Sequence, residues 1–484
     1  MKKVISFTLL TLFFLFQCIG VCGVEEFKHD GVKYTCIGHK LIVSGVDPSI
    51  KILNIKKNLN IGGTEYFVGS IKSGALSESN VEEISLPEEG IDINADAFRN
   101  ATKLYVVKNL NKANILSSDY LFMGCCSLRD VNLPAGLELI GSSMFCGCTS
   151  LENIIINKNV REIDADSFLG CINLNKVNVE EGSKLENIEK GAFAGCKNLE
   201  CFNISKDIDK IAEYAFFGCE KLRDDCNIPA SVKTYDKDLE EKSKKAELFA
   251  RKILDSELQN GRNLGELIDA KDIDRLLYKY TPKSIDKPTV VSKEEFDKIT
   301  SDGRLILYRG DIPRVSKRGR KITIKEINDS FKYGDYYYPC ECNGIFCTKY
   351  LNHAKSYAID YTSKKMIGSV TQFCFTDVSP DKFKVITSSE LNKIENFYKY
   401  SHIENYLKFM SDYCFTGKYR LDVGLLNLGV DTMNFSFLAR ALGYDLIDNE
   451  YDNMGGDGCS KDTPTSQFEV LNRGKLTVCS ENIF

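Results

Sequence analysis

Residues 144–163, MFCGCTSLENIIINKNVREI, follow a pattern that recurs before and after them in the chain. The shared frame is F-x-G-C-x-x-L-x-x-(V/I)-x-(I/L/V), followed by a turn, an isoleucine and the next phenylalanine. A fixed period in this range is typical of a solenoid, in which each unit forms one coil. The cysteines of successive units are spaced by 23, 23, 25 and 23 residues: Cys125, Cys148, Cys171, Cys196 and Cys219.

Each unit also contains a short stretch of alternating apolar residues, such as KVNVE at 176–180. Alternation predicts one short strand per coil, with its apolar side chains pointing inward. A single coil cannot bury that face alone, so neighbouring coils must stack and share one long core. The sequence therefore predicts a β-solenoid over residues 80–235.

Three roles fit the repeated cysteine. Equivalent residues of adjacent coils lie about 4.7–5 Å apart, a spacing that does not exclude a disulfide. We favour a small apolar side chain that fills the stack, because free cysteine behaves as a small buried hydrophobe. A metal site is the least favoured, because residues 40–352 contain no histidine and no recurrent CxxC cluster.

The repeats resemble the BspA-like leucine-rich repeats of bacterial and microbial surface proteins. The resemblance covers residues 80–235 and includes one incomplete repeat around ADAFRNATKL at 95–104. It also reaches back to residues 24–79, which resemble the β-rich leader that these proteins carry. It implies an extended surface that binds a protein partner and does not itself imply a reaction.

The first 23 residues have the pattern of a secretory signal peptide. MKK is followed by an apolar run at 4–20, and Val21 and Gly23 precede a cleavage site ahead of Val24. A retained membrane anchor, or a lipid anchor on Cys18 or Cys22, is the alternative. We expect a secreted or cell-surface protein with no stable membrane span after cleavage. The net charge of −5 offers no basic excess, so we expect no nucleic-acid partner.

Residues 236–299 predict two helices that either connect two domains or open the next one. The first is predicted over 238–261, where apolar residues recur at helical spacing and Gly261 is a stop signal. The second is predicted over 263–282 and ends at Pro282.

Three stretches stand out in residues 300–484. RLILYRGDI at 304–312 predicts a strand that delivers Arg309, and NGIFCTKYLNHAKSYA at 343–358 predicts a strand followed by a helix. In SQFEVLNRGKLTV at 466–478, Gln467 and Glu469 share one face of a predicted strand. Taken singly, these residues are as well explained by surface ion pairs and solvated strand faces.

In this order the three stretches resemble the ADP-ribosyltransferase fold. The resemblance implies an α+β domain over residues 300–484, with two packed small sheets flanked by helices. It implies an NAD-dependent protein mono-ADP-ribosyltransferase of the arginine-led class, a toxin-like effector that uses NAD as substrate and needs no metal. Glu469 is then the expected catalytic glutamate and Gln467 the residue that positions the acceptor. The expected NAD-binding residues are Arg309, Gly310, Phe346, Cys347, Thr348 and Tyr357.

The chemistry of this reaction matches those residue types. Cleavage between nicotinamide and ribose passes through an oxocarbenium-like state, as in glycoside hydrolysis. A nearby carboxylate stabilises the developing positive charge, and a guanidinium binds the dinucleotide.

One motif departs from the family pattern. Ser-Thr-Ser is usual where this chain has Cys347-Thr348-Lys349, and a thiol is a weaker hydrogen-bond donor than a hydroxyl. The competing hypothesis is therefore a surface adhesin with a degenerate, non-catalytic domain. We interpret His353 as a residue at a helix start, the glycine-rich 454–459 as a flexible loop, and the basic 314–321 as a solvated loop or a contact to NAD.

Overall fold

The computed structural model describes residues 25–483, except for 203–207, 224–225, 227, 230–235, 270–271, 274–275, 277–278, 281–287, 312–313, 316–320, 324, 326–344, 349–350, 357, 359–366, 377–383, 417, 427–434, 450–466 and 472–474. Its contacts define two compact units. The first is Met1–Tyr235 with Tyr400–Ser411, and the second is Asp236–Lys399 with Asp412–Phe484. The predicted signal segment lies outside the described residues.

The first unit starts with antiparallel strands and continues as parallel coils. The opening strands are β1 Glu25–His29, β2 Val32–Ile37, β3 Lys40–Val46, β4 Ile52–Asn54, β5 Asn58–Ile61 and β6 Thr64–Ile71. β3 pairs in parallel with β6, so the coils begin well before the predicted boundary at residue 80. This early coil is not recognisable from the repeat pattern, because Leu76 occupies the position of the phenylalanine. The N–H of Leu76 donates to Ala97 O in the next coil, just as the N–H of Phe98 donates to Leu121 O.

Two parallel ladders run through the coils, where the sequence predicted one strand per coil. The first joins β3 and β6 to β8 Asp92–Ile93 and β10 Asn114–Ile115, and resumes with β11 Leu139–Ile140, β13 Glu162–Ile163, β15 Asn187–Ile188 and β17 Lys210–Ile211. The second joins β4 to β7 Glu83–Ser85 and β9 Val106–Lys108, and resumes with β12 Asn153–Ile156, β14 Lys176–Val179 and β16 Cys201–Phe202. A 3-10 turn covers Leu110–Lys112. Equivalent residues pair, as Ile140 does with Ile163, so the repeat period sets the register.

Phenylalanine rings from successive coils stack along the interior. Neighbouring ring centroids lie 4.9 to 5.5 Å apart, and the ring planes differ by only 5 to 14°. Such near-parallel aromatic pairs stabilise beyond the area that they bury. The stacked rings are those of Phe98, Phe122, Phe145, Phe168, Phe193 and Phe216.

The repeated cysteine fills this stack, as the sequence predicted, and does more. Each thiol donates a hydrogen bond to the carbonyl of the phenylalanine in the preceding coil, with S···O distances of 3.0 to 3.2 Å. Cys171, for example, is fully buried, is a free thiol, and bonds to Phe145 O. Burial raises the pKa of its thiol far above the usual value, so no thiolate forms.

The second unit is built around one mixed sheet. In sheet order its strands are β19 Thr289–Val291, β29 Leu476–Cys479, β24 Ser369–Phe375, β20 Ile306–Asp311, β23 Ile345–Thr348, β28 Gln467–Val470, β27 Leu446–Asn449 and β25 Val385–Thr387. This architecture differs from the two small sheets that the resemblance implied. The reason is that β23 pairs with both β20 and β28 and so joins the two halves.

Helices and two short ladders complete the described elements. The helices are α1 Lys237–Gln259, α2 Lys293–Thr300, α3 Leu351–Ser356, α4 Ser388–Ser401, α5 Ile403–Thr416, α6 Leu421–Leu426 and α7 Phe435–Leu442. The short ladders are β18 Leu267–Ile268 with β26 Tyr419–Arg420, and β21 Arg314–Val315 with β22 Lys321–Ile322.

The two helices predicted over 236–299 have different outcomes. The first is confirmed as α1, capped at its start by the Asp236 side chain and followed by Gly261 at φ +83°. The second was predicted wrongly at its start. Ile268 is 1% exposed and lies in β18, because strand pairing to β26 satisfies its backbone.

Replacing Phe168 with Ala should remove one ring from the stack and cost about 3–5 kcal/mol of stability through the cavity that remains. The matched control is Ile155→Ala, on the outer face of β12 with 52% of the side chain exposed. It should cost less than about 0.5 kcal/mol. Urea unfolding followed by circular dichroism measures both, and similar losses would argue against the stack as the main source of stability.

Candidate functional site

The three strands that carry the candidate motifs are neighbours in the sheet of the second unit. β20 pairs with β23, and β23 pairs with β28, although the three are far apart in sequence. Tyr308 is opposite Thr348, which is opposite Gln467. Phe346 is opposite Glu469. The backbone therefore places four of the predicted site positions side by side.

Arg309 does not belong to this row, because it is the residue after Tyr308. Successive residues of a strand alternate between the two faces of a sheet, so the position of Arg309 belongs to the face opposite Tyr308. Leu307 shares the Arg309 face and packs in one apolar cluster with Cys347, whose side chain is 5% exposed. The register thus assigns the positions of Arg309 and Cys347 to one face of the sheet, and the positions of Thr348 and Gln467 to the other.

Arg309 forms a buried ion pair with Asp311, two residues further along β20. Its Nε donates to Asp311 Oδ2 at 2.7 Å and its Nη2 to Oδ1 at 2.9 Å. The side chains are 8% and 2% exposed. A bidentate pair of this kind holds the guanidinium in one orientation. Sequence reasoning missed Asp311, although opposite charges two residues apart on a strand are a readable signal.

The helix after the second motif packs as the sequence predicted. Ala354 and Ala358 are fully buried and form a cluster with Val370 of β24. Gly310 is opposite Val370 in the ladder, so this cluster covers the sheet beside the arginine motif. Tyr357, the third residue predicted for this face, lies outside the described residues.

Two other predictions fall partly or wholly outside the described residues. The glycine-rich 454–459 is entirely outside. Of the basic segment 314–321, both ends lie in the antiparallel hairpin of β21 and β22, and 316–320 are outside. His353 lies in the first turn of α3, after the second motif strand.

The described cysteines of the second unit include Cys374, in β24. Burial raises the pKa of the Cys374 thiol to about 11, so it stays protonated at neutral pH and is a poor nucleophile. Among the residues that the structure describes, no three or more His, Cys, Asp or Glu side chains cluster to hold a metal ion. Over the same residues, no helix combines the length and apolar character needed to cross a bilayer.

The outer face of the second ladder is a candidate surface for a protein partner. Ile52 and Tyr105 are 69% and 41% exposed there. Between their strands, Glu83 accepts hydrogen bonds from Lys108 and, at 3.1 Å, from the Tyr105 hydroxyl. These bonds lower the pKa of Glu83 and keep it charged. Protein interfaces combine an apolar centre with a polar rim, and this face offers both kinds of side chain.

Comparison with known proteins identifies the repeats. Residues 54–119, 69–184 and 117–246 match the family model of the BspA type leucine rich repeat region, in six copies. The repeats are of the BspA type. No curated protein sequence matches the chain.

Similar solved structures are also leucine-rich repeat proteins. A leucine rich repeat protein of T. pallidum is 24% identical with a TM-score of 0.36, over 42% of this chain and 92% of that one. A repeat protein of Bacteroides ovatus is 27% identical with a TM-score of 0.37, over 40% and 51%. A leucine rich cell surface protein of Faecalibacterium prausnitzii is 19% identical with a TM-score of 0.34, over 42% and 54%. The chain spans about half the length of the last two.

The ion pair on β20 can be tested by Asp311→Asn. The substitution removes the carboxylate charge that a buried guanidinium contacts through two bonds, which should cost about 3–5 kcal/mol of stability. The matched control is Asp302→Asn, because Asp302 also pairs with an arginine two residues away but is 46% exposed. That variant should lose much less stability in urea unfolding. Equal losses would contradict the assignment of Arg309 and Asp311 as a buried pair.

Proposed function

We propose that this chain is an exported, surface-associated protein that binds a partner through its BspA-type repeats and transfers ADP-ribose from NAD to a protein side chain. The observation that carries the catalytic part is the adjacency of β20, β23 and β28. Three motifs that are distant in sequence become neighbours, in the order arginine strand, threonine strand and glutamate strand. Partner binding rests on the repeats and their exposed ladder face.

In this proposal the chain's own residues divide the work. Glu469 stabilises positive charge on the ribose as nicotinamide leaves, and Gln467 positions the acceptor side chain. Asp311 orients Arg309, which reduces the entropy lost when the guanidinium engages a dinucleotide phosphate.

A second candidate is a partner-binding protein whose second unit carries out no transfer. Two observations favour it. The charge of Arg309 is already engaged by Asp311, and the register puts Arg309 on the face opposite the row that contains Thr348 and Gln467. In a catalytic cleft shared by all three motifs, Arg309 would instead lie on the same face as Thr348 and Gln467.

Nicotinamide release from NAD by full-length mature protein, residues 24–484, tests the first candidate. Glu469→Gln should lower the rate by about 100-fold or more, because it removes the charge that stabilises the transition state. Glu481→Gln is the control, since Glu481 is an exposed carboxylate outside the motif strands. Equal rates for all three proteins would remove Glu469 from the mechanism.

The same proteins distinguish the second candidate. Millimolar NAD should raise the thermal midpoint of the wild-type chain if the nucleotide binds the folded state. An unchanged midpoint together with no nicotinamide release would instead support binding without catalysis.

A further inference from the structure

An apolar stripe lies on the outside of the coils, separate from the interior core. It consists of the variable residue in each F-x-G-C turn, namely Met123, Cys146, Leu169, Ala194 and Phe217. The first four are at most 3% exposed, yet they are not part of the interior cluster that holds the stacked phenylalanines. The preceding coil has Arg99 at this position. We call these five residues the outer stripe.

A row of glycines runs beside the outer stripe and leaves room for another chain segment. Gly147, Gly170 and Gly195 each adopt a left-handed conformation, with φ of +69 to +74°, which glycine accepts at little cost. A Cβ at Gly170 would lie 2.6 Å from Leu407 Cδ1, and a Cβ at Gly195 would lie 2.5 Å from Ile403 Cδ1. The side chains of Tyr400–Ser411 therefore enter space that any larger residue would fill.

The segment Tyr400–Ser411, which belongs to the first unit, presents one apolar face. Ile403, Tyr406, Leu407 and Met410 recur at i, i+3, i+4 and i+7, the spacing of one helix face. Tyr406 and Met410 are 6% and 9% exposed, whereas Glu404 and Lys408 on the other face are exposed. Ile403 and Leu407 are half-buried, and Phe409, next to this face, is 1% exposed. The helix is amphipathic, and its apolar side is the more buried one.

Tyr400 adds a specific polar contact to this apolar packing. Its hydroxyl donates to Asp166 Oδ1 at 3.1 Å, and its ring stacks on Tyr214 with centroids 5.1 Å apart. Burial and then the Asp166 charge raise the pKa of Tyr400 well above its usual value. The hydroxyl therefore stays protonated and remains a donor.

The spacing of the helix matches the spacing of the coils. From Ile403 to Leu407 the helix advances one turn, about 6 Å. Over that turn its contacts move by one coil, from Gly170 and Gly195 to Gly147 and Gly170. Adjacent coils lie about 4.8 Å apart. One helix turn per coil lets successive apolar side chains meet successive glycines.

We propose that the outer stripe and its glycine row form a receptor groove for a single amphipathic helix, and that Tyr400–Ser411 is the resident ligand. The helix that the groove fits has apolar residues at i, i+3, i+4 and i+7, and a tyrosine hydroxyl that reaches Asp166. This inference is independent of the reaction proposed for the second unit.

Cys146 reports whether the groove is occupied, because it belongs to the outer stripe and is 1% exposed. Leu407→Asp in the full chain should place a charge against the groove, release the helix, and speed alkylation of Cys146 by iodoacetamide at least about tenfold. Cys148, two residues away and interior, should remain unreactive and shows that the coil stays folded. Lys408→Asp is the matched control, since it introduces the same residue on the exposed face.

Rescue in trans separates a receptor groove from a merely structural contact. A peptide of residues 398–416 carrying Cys414→Ser, added to the Leu407→Asp chain, should restore protection of Cys146. Leu169→Glu, made from the groove side, should expose Cys146 as well, but the peptide should not restore its protection. Equal alkylation of Cys146 in wild type and Leu407→Asp, or no protection by the peptide, would overturn the proposal.

Discussion

The first unit depends on one constraint: a single coil cannot bury its own apolar side chains, and the next coil must cover them. Each coil leaves a phenylalanine ring and that residue's carbonyl facing the next coil. The next coil supplies another ring and the thiol of its cysteine, as Cys171 does for Phe145. Cysteine suits the position because it is small, apolar and still a weak donor. An alanine would leave the carbonyl with only the N–H of its own coil, as Cys148 N–H donates to Phe145 O at 2.9 Å. The thiol adds the bond between coils, so the repeat spacing and the cysteine act together.

The same constraint explains what the sequence could and could not predict in the coils. Fixed spacing gives the register directly, because equivalent residues must pair across coils. It does not reveal the start of the stack, where Leu76 replaces the phenylalanine, nor the outer stripe. The stripe occupies the position that the frame leaves variable, and its apolar character is visible only when that position is compared from coil to coil. The helix that covers it lies about two hundred residues away in sequence.

The second unit shows a different limit of sequence reasoning. The sequence predicted that the three motifs are strands of one domain, and the structure shows that β20, β23 and β28 are neighbours. The sequence could not predict on which face of the sheet each motif residue lies. A slip of one residue in a strand moves all of its side chains to the other face. Whether Arg309 lies with Thr348 or with Cys347 therefore depends on a register that the spacing of distant motifs does not determine.

The pairing of Arg309 with Asp311 changes how the Cys347 substitution should be interpreted. Cys347 replaces a serine in the resembled family, and loss of a hydroxyl donor would weaken support for a bound ligand. In this chain, however, Cys347 packs with Leu307 in an apolar cluster beside the arginine. A less polar neighbour strengthens the electrostatic attraction between Arg309 and Asp311, because less water screens it. The departure at 347 and the pair at 309 and 311 thus belong to one arrangement. Any anion that engages Arg309 must compete with a carboxylate already held at 2.7 Å, so Asp311 governs access to the guanidinium.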